Sequence, residues 1–327
     1  MDRSEFARRR QELMNLMGKG SMAILPSAPE RIRNRDVHHP YRADSNFYYL
    51  TGFAEPESLA VLVPHREQGQ FLLFCRERDP EKETWHGRRA GLEGACERYG
   101  ADDAFPITDI DDIVPGLLEK CRRLYYPIGC YPEFDGKVLE WLNQLREKVR
   151  IGVQIPAEMV ALDHILHEMR LFKSESELQV MRQAAAVSIH AHKRVMQFCR
   201  PGLFEYELEA EITHEFLRHG SRSPAYPTIV GGGENGCILH YTENDVVLKV
   251  DDLVLIDAGA EFDYYASDIT RTFPVSGRFS EPQRILYELV LKAQIAAIAK
   301  VQPGNHWNEP HETAVRVITQ GLVDLGL

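Results

Sequence analysis

The sequence lacks any apolar run long enough to cross a membrane, and its first ten residues, MDRSEFARRR, lack the apolar segment of a secretory leader. It also has little positive charge, because 49 acidic residues outnumber 38 basic ones and leave a formal net charge of −11. Such a balance argues against nucleic acid or an anionic membrane as a partner. We therefore expect a cytoplasmic protein with no membrane and no nucleic-acid partner.

Cysteine is scarce as well. The 327 residues include six cysteines, and no two of them have C-x-x-C spacing. In a chain of this length they indicate reduced thiols of a cytosolic protein rather than a disulfide framework. The length suggests about two domains, and a hydrophobic content of 44% is normal for a globular protein with a large core.

Helix and strand signals alternate along the first half of the chain. Apolar spacing predicts a helix over 4–17 whose arginines face water, and apolar runs predict strands at 21–26, 57–64 and 70–76. This pattern favours an α/β domain built on a mainly buried sheet. We place the two domains at 1–170 and 171–327. In the second, a capping box at 174–177 predicts a long helix, followed by helices over 204–219, 281–300 and 309–325.

The residues 251–275 are the most informative part of the sequence. An apolar run ends on Asp257, a turn follows at Gly259, and a second β-prone run leads to Asp268, which predicts two tightly joined strands with the carboxylates side by side. Two close carboxylates repel unless a cation or a proton lies between them. Hard oxygen ligands suit Mn²⁺, Mg²⁺ or Ca²⁺. In the alternative, Asp257 caps a strand end and Asp268 makes a turn or pairs with Arg271.

Other patterns in the sequence give weaker evidence for a functional site. The glycine-rich segment 231–236 matches a dinucleotide-binding pattern, but the strand-like CILHY follows where that site needs a helix, so we expect a turn with close backbone approach. His214 and His219 are five residues apart, roughly 140° around a helix, which is wrong for a zinc-peptidase motif. With His190 and His192 they are interpreted as solvated or capping residues. His240 ends the predicted strand, where a lone histidine is more often a satisfied core residue.

The amino-acid sequence of the aspartate segment, IDAG followed by SDITRTFP, resembles the paired-aspartate signature of the M24 metallopeptidases, the pita-bread family. The segments YRADSNFYYLTGFAEPE, TWHGRR, HEMRLFKS, SPAYPTIV and GGGENGCILHYTEN resemble the aminopeptidase P branch of that family over nearly the whole chain. The resemblance implies an α/β fold (α+β overall), with a creatinase-type N-terminal domain followed by a pita-bread metallopeptidase domain.

The resemblance also implies an activity and a site. The expected reaction removes an N-terminal residue that precedes proline, from peptides with proline at the second position, by a hydroxide that two Mn²⁺ ions share. Asp257 and Asp268 match two metal ligands, and His240 matches a histidine that binds substrate and stabilises the oxyanion. Tyr226 is expected near the substrate. Trp85 is expected to reach a neighbouring subunit in a dimer or tetramer, although plain packing would also explain both aromatic residues.

Three further ligands of the family, one histidine and two glutamates, have no counterpart in 270–327. Glu309, His311 and Glu312 do not match their motifs. We therefore expect either a fragment of a longer chain, which we favour, or an incomplete metal centre. The alternatives for function are a prolidase acting on X-Pro dipeptides and a non-catalytic binding protein with the same fold.

Overall fold

The computed structural model describes all residues from Met1 to Leu327 and contains two compact units, Met1–Val180 and Met181–Leu327. The division lies inside one long helix, slightly beyond the 170/171 boundary proposed from the sequence. All six cysteines are free thiols. None of the helices combines the length and the apolar character that crossing a membrane requires.

The first unit contains seven helices and eight strands. The helices are α1 Arg3–Met17, α2 Ser45–Thr51, α3 Pro80–His86, α4 Gly91–Glu97, α5 Ile110–Leu118, α6 Pro132–Glu147 and α7 Asp163–Leu171. The strands are β1 Ser21–Pro26, β2 Ile32–Asn34, β3 Val37–His38, β4 Leu59–Leu62, β5 Phe71–Cys75, β6 Asp103–Pro106, β7 Arg123–Tyr126 and β8 Glu158–Ala161. Two short 3₁₀ helices cover Ile107–Asp109 and Val149–Ile151.

Six strands of this unit form one mixed sheet in the order β6-β5-β4-β1-β7-β8. β4 is antiparallel to both β1 and β5, while the other neighbours are parallel. The residues of β4 and β5 are all buried, so the sheet is covered on both faces, as their continuous apolar runs predict. Trp141 of α6 is fully buried in the core against this sheet. The predicted α/β domain is confirmed, and β2 and β3 form a separate two-stranded hairpin.

The prediction that the arginines of α1 all face water is wrong. Arg9 is fully buried and Arg10 nearly so. The Arg9 guanidinium donates to Glu5 at 3.1 Å and lies 3.4 Å from a Glu177 carboxylate oxygen. These bonds satisfy a buried cation, whose burial would otherwise be very costly.

Arg9→Met is expected to lower the free energy of unfolding by about 3 kcal/mol, because it leaves buried carboxylate oxygens without their cation. Arg8→Met is the matched control, since Arg8 also bonds Glu5 but its side chain is half exposed. We expect the control to cost about 0.5 kcal/mol. Urea unfolding of both variants measures the difference, and equal costs would contradict the role given to Arg9.

The second unit contains the rest of the elements. Helix α8 Glu175–Phe198 enters it from the first unit and is followed by α9 Glu205–Arg218, α10 Glu281–Ile298 and α11 Glu309–Asp324. The strands are β9 Ser223–Pro224, β10 Ile229–Gly232, β11 Leu253–Ala258, β12 Ala260–Phe262, β13 Tyr265–Ala266 and β14 Ile269–Pro274, and a 3₁₀ helix covers Gly233–Cys237.

Helix α8 begins at the predicted capping box. The Ser174 amide donates to the Glu177 carboxylate at 2.8 Å, and the Glu177 amide donates to the Ser174 hydroxyl at 3.3 Å. Further along, the small residues Ala184, Ser188 and Ala191 are buried. Small side chains on this face allow the helix to lie close to the strands that carry the aspartates.

Two three-stranded sheets, β10-β11-β14 and β9-β12-β13, complete the unit. Its core is formed by apolar side chains from α8, α9 and the first of these sheets: Val187, Ala191, Val195, Leu208, Ile212, Phe216, Val230, Val254, Ile256 and Ala258. Strand β11 is the middle strand of its sheet and contributes to this core on one face. The side chains on its opposite face are therefore held in fixed positions.

Candidate active site

Strand β11 fixes the position of Asp257. Val254, Ile256 and Ala258 are fully buried, whereas Asp257 lies on the alternate, partly open face. The strand is paired on both sides, with Asp257 opposite Ile229 of β10 and Thr270 of β14. The carboxylate therefore projects from the middle strand of a sheet and has little freedom to move.

Gly259 allows the segment that precedes Asp268 to lie close to the end of the strand that carries Asp257. A Cβ atom at this position would lie 1.7 Å from the Ser267 carbonyl oxygen, so only glycine allows the two segments to approach. Ser267 is further held by a 2.7 Å hydrogen bond between its hydroxyl and that of Ser188. Asp268 follows directly and precedes β14. The predicted hairpin is confirmed, with the small strands β12 and β13 inserted between its two long strands.

Gly259→Ala is expected to destabilise the protein by about 3 kcal/mol or more, because its methyl group overlaps backbone rather than a movable side chain. The backbone movement that relieves this overlap should also separate Asp268 from Asp257. Gly136→Ala in α6 is the control, since a methyl group there meets open space and should stabilise by up to about 1 kcal/mol. Thermal unfolding distinguishes the two, and a Gly259→Ala variant as stable as the wild type would contradict this packing.

Tyr226 lies between the two carboxylates. Its hydroxyl donates to Asp257 Oδ1 and lies 3.1 Å from Asp268 Oδ1. Burial, together with the hydrogen bond to Asp257 and the charge of both aspartates, raises the pKa of Tyr226, so the hydroxyl stays protonated at neutral pH. One hydroxyl proton cannot satisfy two carboxylates at once. The aspartates predicted to lie side by side therefore do so, and they converge on one point.

His240 lines the same cavity, but not as predicted. The expected strand over 237–241 is wrong, because a 3₁₀ helix ends at Cys237 and His240 lies in the turn that follows. The close backbone approach expected of the glycine segment is confirmed, since a Cβ at Gly231 would lie 2.7 Å from the Gly236 nitrogen. The cavity has a volume of about 360 Å³ and is lined by Tyr226, Pro227, Ile229, His240, Thr242, Asp257 and Asp268.

The other histidines do not join this cavity. The ring of His190 lies 5.1 Å from that of His219, and His214 is exposed. His192 was predicted to be solvated or capping, which is wrong: it is buried, and Nε2–H donates to the Ala258 carbonyl at 3.2 Å. Burial lowers the pKa of His192 and keeps it neutral. His192 thus supports the back of the strand that carries Asp257.

Trp85 is 80% exposed on α3 and makes no aromatic contact. Aromatic packing within this chain therefore does not explain it. Its expected contact with a neighbouring subunit stays a prediction.

The donor set fits a divalent metal in part. Two carboxylates that converge on one point provide hard oxygen ligands and a negative potential that a cation would relieve. No group of three or more metal-binding side chains is present in the described chain. Asp257 and Asp268 are the two carboxylates that line this cavity, and their role as metal ligands stays a prediction.

The model of metallopeptidase family M24 matches residues 179–326, and the model of the aminopeptidase P N-terminal domain matches residues 6–125. The Xaa-Pro aminopeptidase of Escherichia coli is 46% identical over 328 residues, which cover 100% of this chain and 74% of that protein. The chain belongs to the M24 metallopeptidases.

Solved structures agree with this M24 assignment. The aminopeptidase PepP of Pseudomonas aeruginosa superposes with a TM-score of 0.99 at 60% identity, over 100% of this chain and 74% of that one. A zinc-substituted Escherichia coli aminopeptidase P in complex with product gives a TM-score of 0.97 at 46% identity, with the same two coverages. The creatinase-type N-terminal domain and the pita-bread domain expected from the sequence are therefore confirmed.

Sequence reasoning missed several residues that build the site. Thr242, Pro227 and Ile229 line the cavity. Glu205 accepts a hydrogen bond from the Tyr241 hydroxyl next to His240, and His192 bonds the Ala258 carbonyl next to Asp257. Only Glu205 had a local signal, because an acidic residue in the first turn of a helix is common at an N-terminus. That signal indicates a helix start rather than a contact with a loop far along the chain.

Proposed function

We propose that this M24 chain is a metal-dependent aminopeptidase that hydrolyses the bond between an N-terminal residue and a following proline. The convergence of Asp257, Asp268, Tyr226 and His240 on one cavity carries the proposal. The identity of 46% with an enzyme named Xaa-Pro aminopeptidase supports the choice of substrate.

Proline makes this bond an unusual substrate. Its amide nitrogen has no hydrogen and its φ angle is fixed, so a peptidase that binds substrate as a β-strand loses a hydrogen bond there. An enzyme that instead recognises the free amine and the carbonyl avoids that dependence. Only the first residue of a peptide carries a free amine, so recognition of that amine at this site would account for removal of the first residue only.

Each side chain then has a task. A divalent metal, when bound, would supply Lewis-acid activation of water and of the scissile carbonyl. Asp257 and Asp268 would hold it, and the Tyr226 hydroxyl, which donates to Asp257 and lies 3.1 Å from Asp268 Oδ1, would help to position them. His240 would donate a hydrogen bond to the carbonyl oxygen as negative charge develops there.

We further propose Mn²⁺ as the metal, a dimer or tetramer as the assembly, and the cytoplasm as the compartment. Hard oxygen donors support Mn²⁺. The exposed Trp85 supports an assembly, because a large aromatic residue without a partner is a typical interface residue. Six free cysteines support a reducing compartment.

The test is hydrolysis of a tripeptide with proline at the second position by the natural full-length protein, after chelation and after Mn²⁺ is restored. We expect Mn²⁺-dependent release of the first residue and no release from a matched tripeptide with alanine at that position. Cleavage of X-Pro dipeptides alone would indicate a prolidase. Release that persists after chelation, or none with any divalent metal, would contradict the proposal.

A further inference from the structure

The loop 233–245 carries His240, and the side chain of His240 has no hydrogen bond or ion pair to hold it. The residue is exposed in a turn. Its direction toward the aspartates therefore depends on the backbone of the loop. Whatever fixes that backbone also fixes the histidine.

Glu205, the first residue of α9, is the one fully buried carboxylate in contact with this loop. Its Oε1 accepts hydrogen bonds from the Gly232 amide at 2.7 Å and from Asn235 Nδ2 at 3.1 Å. Its Oε2 accepts from the Tyr241 hydroxyl at 2.7 Å and from the Val246 amide at 3.0 Å. Four donors fill the acceptor positions of one carboxylate.

The four donors are placed at the points that define the loop. Gly232 immediately precedes it, Val246 immediately follows it, and Asn235 lies in its 3₁₀ turn. Tyr241 is the neighbour of His240 and is itself buried. One side chain thus holds both ends of the loop and the residue next to the histidine.

The charge of Glu205 is part of this arrangement. No salt bridge reaches the carboxylate, so its burial is compensated by hydrogen bonds alone. An amide at this position would turn a donor toward either the Gly232 or the Val246 amide, and neither of those can accept. The site therefore requires a carboxylate rather than a side chain of the same shape.

We propose that Glu205 is a positioning residue that holds the His240 loop in the geometry needed for transition-state stabilisation. The proposal rests on the proposed function, because it assigns His240 a task in hydrolysis. It differs from a purely structural role in that Glu205 acts on the reaction only through His240.

The experiment is a double-mutant cycle in the full-length protein with a tripeptide that has proline at the second position. Glu205→Gln is expected to lower kcat about tenfold with KM little changed, since it removes one buried hydrogen bond. In the background of His240→Ala the same change should have no further effect on kcat. Tyr241→Phe removes one of the four donors without changing the charge. It should lower kcat by a smaller factor, and this loss should likewise disappear in the His240→Ala background.

Glu211→Gln is the matched control, because Glu211 lies on the same helix but pairs with Arg194 at the surface. It should leave kcat unchanged in both backgrounds. If Glu205→Gln and His240→Ala multiply their effects on kcat, Glu205 does not act through His240 and the proposal is wrong.

Hydrogen exchange tests the anchoring without any activity. In Glu205→Gln the amides of Gly232 and Val246 should exchange at least about tenfold faster, while those in the middle of α9 stay unchanged. Equal acceleration in the loop and in α9 would indicate general destabilisation and overturn the proposal. A wild-type protein that releases no product contradicts the proposed function instead, and the exchange result still decides whether Glu205 holds the loop.

Discussion

Asp257→Asn or Asp268→Asn is expected to lower kcat/KM for a tripeptide with proline at the second position by at least about 1,000-fold. Loss of a residue behind a metal ligand typically costs 10- to 100-fold, so loss of a ligand itself should cost more. Asparagine keeps the size of the side chain but removes the charge that a divalent cation needs. The bound metal per chain, measured after dialysis, should fall together with the activity.

The stability of these variants separates the metal site from a structural role. Without metal, the two carboxylates repel each other and share one Tyr226 hydroxyl, so Asp→Asn should not lower the midpoint of thermal unfolding. Asp251→Asn is the control, because this exposed carboxylate precedes the same strand and faces no cavity residue. Full activity and metal content in either site variant would contradict the assignment of the ligands.

The aspartate hairpin could be predicted from the sequence because its determinants are local. Alternating burial along β11, the glycine at 259 and the β-prone run before Asp268 all lie within one continuous segment. Pairing of adjacent strands requires no knowledge of distant residues. The same holds for the capping box of α8, whose two members are three residues apart.

Residues whose partners lie far along the chain could not be predicted in this way. Arg9 pairs with the nearby Glu5 and also with Glu177, and nothing near Arg9 in the sequence indicates that second carboxylate. Glu205 bonds residues 27 to 41 positions away. A charged residue at an apparent helix surface is usually solvated, and burial becomes visible only when the fold brings its partners together.

The failed strand at 237–241 has a different cause. Its apolar residues predict burial, but Leu239 is 88% exposed and lies in a turn. Apolar content alone cannot distinguish a buried strand from an apolar turn at the rim of a cavity. The resemblance to the family pointed to His240, which does line the cavity although the predicted strand is wrong, and its catalytic role stays a prediction.

His240→Ala is expected to lower kcat for that tripeptide by about 100-fold or more, with KM changed little. Removing one donor to a developing oxyanion typically costs 100- to 1,000-fold, because the hydrogen bond forms fully only in the transition state. The variant should fold normally, since the exposed imidazole makes no hydrogen bond in the protein and its loss should change stability by less than about 0.5 kcal/mol. Steady-state kinetics at saturating metal measure the effect.

Leu239→Ala is the control for position, because this neighbour in the same turn is exposed and does not line the cavity. It should retain nearly full kcat. A His240→Gln variant adds a test of chemistry, since its amide can still donate a hydrogen bond and should recover part of the lost rate. If Leu239→Ala and His240→Ala reduce kcat equally, the turn matters only for its conformation, and the oxyanion role of His240 is wrong.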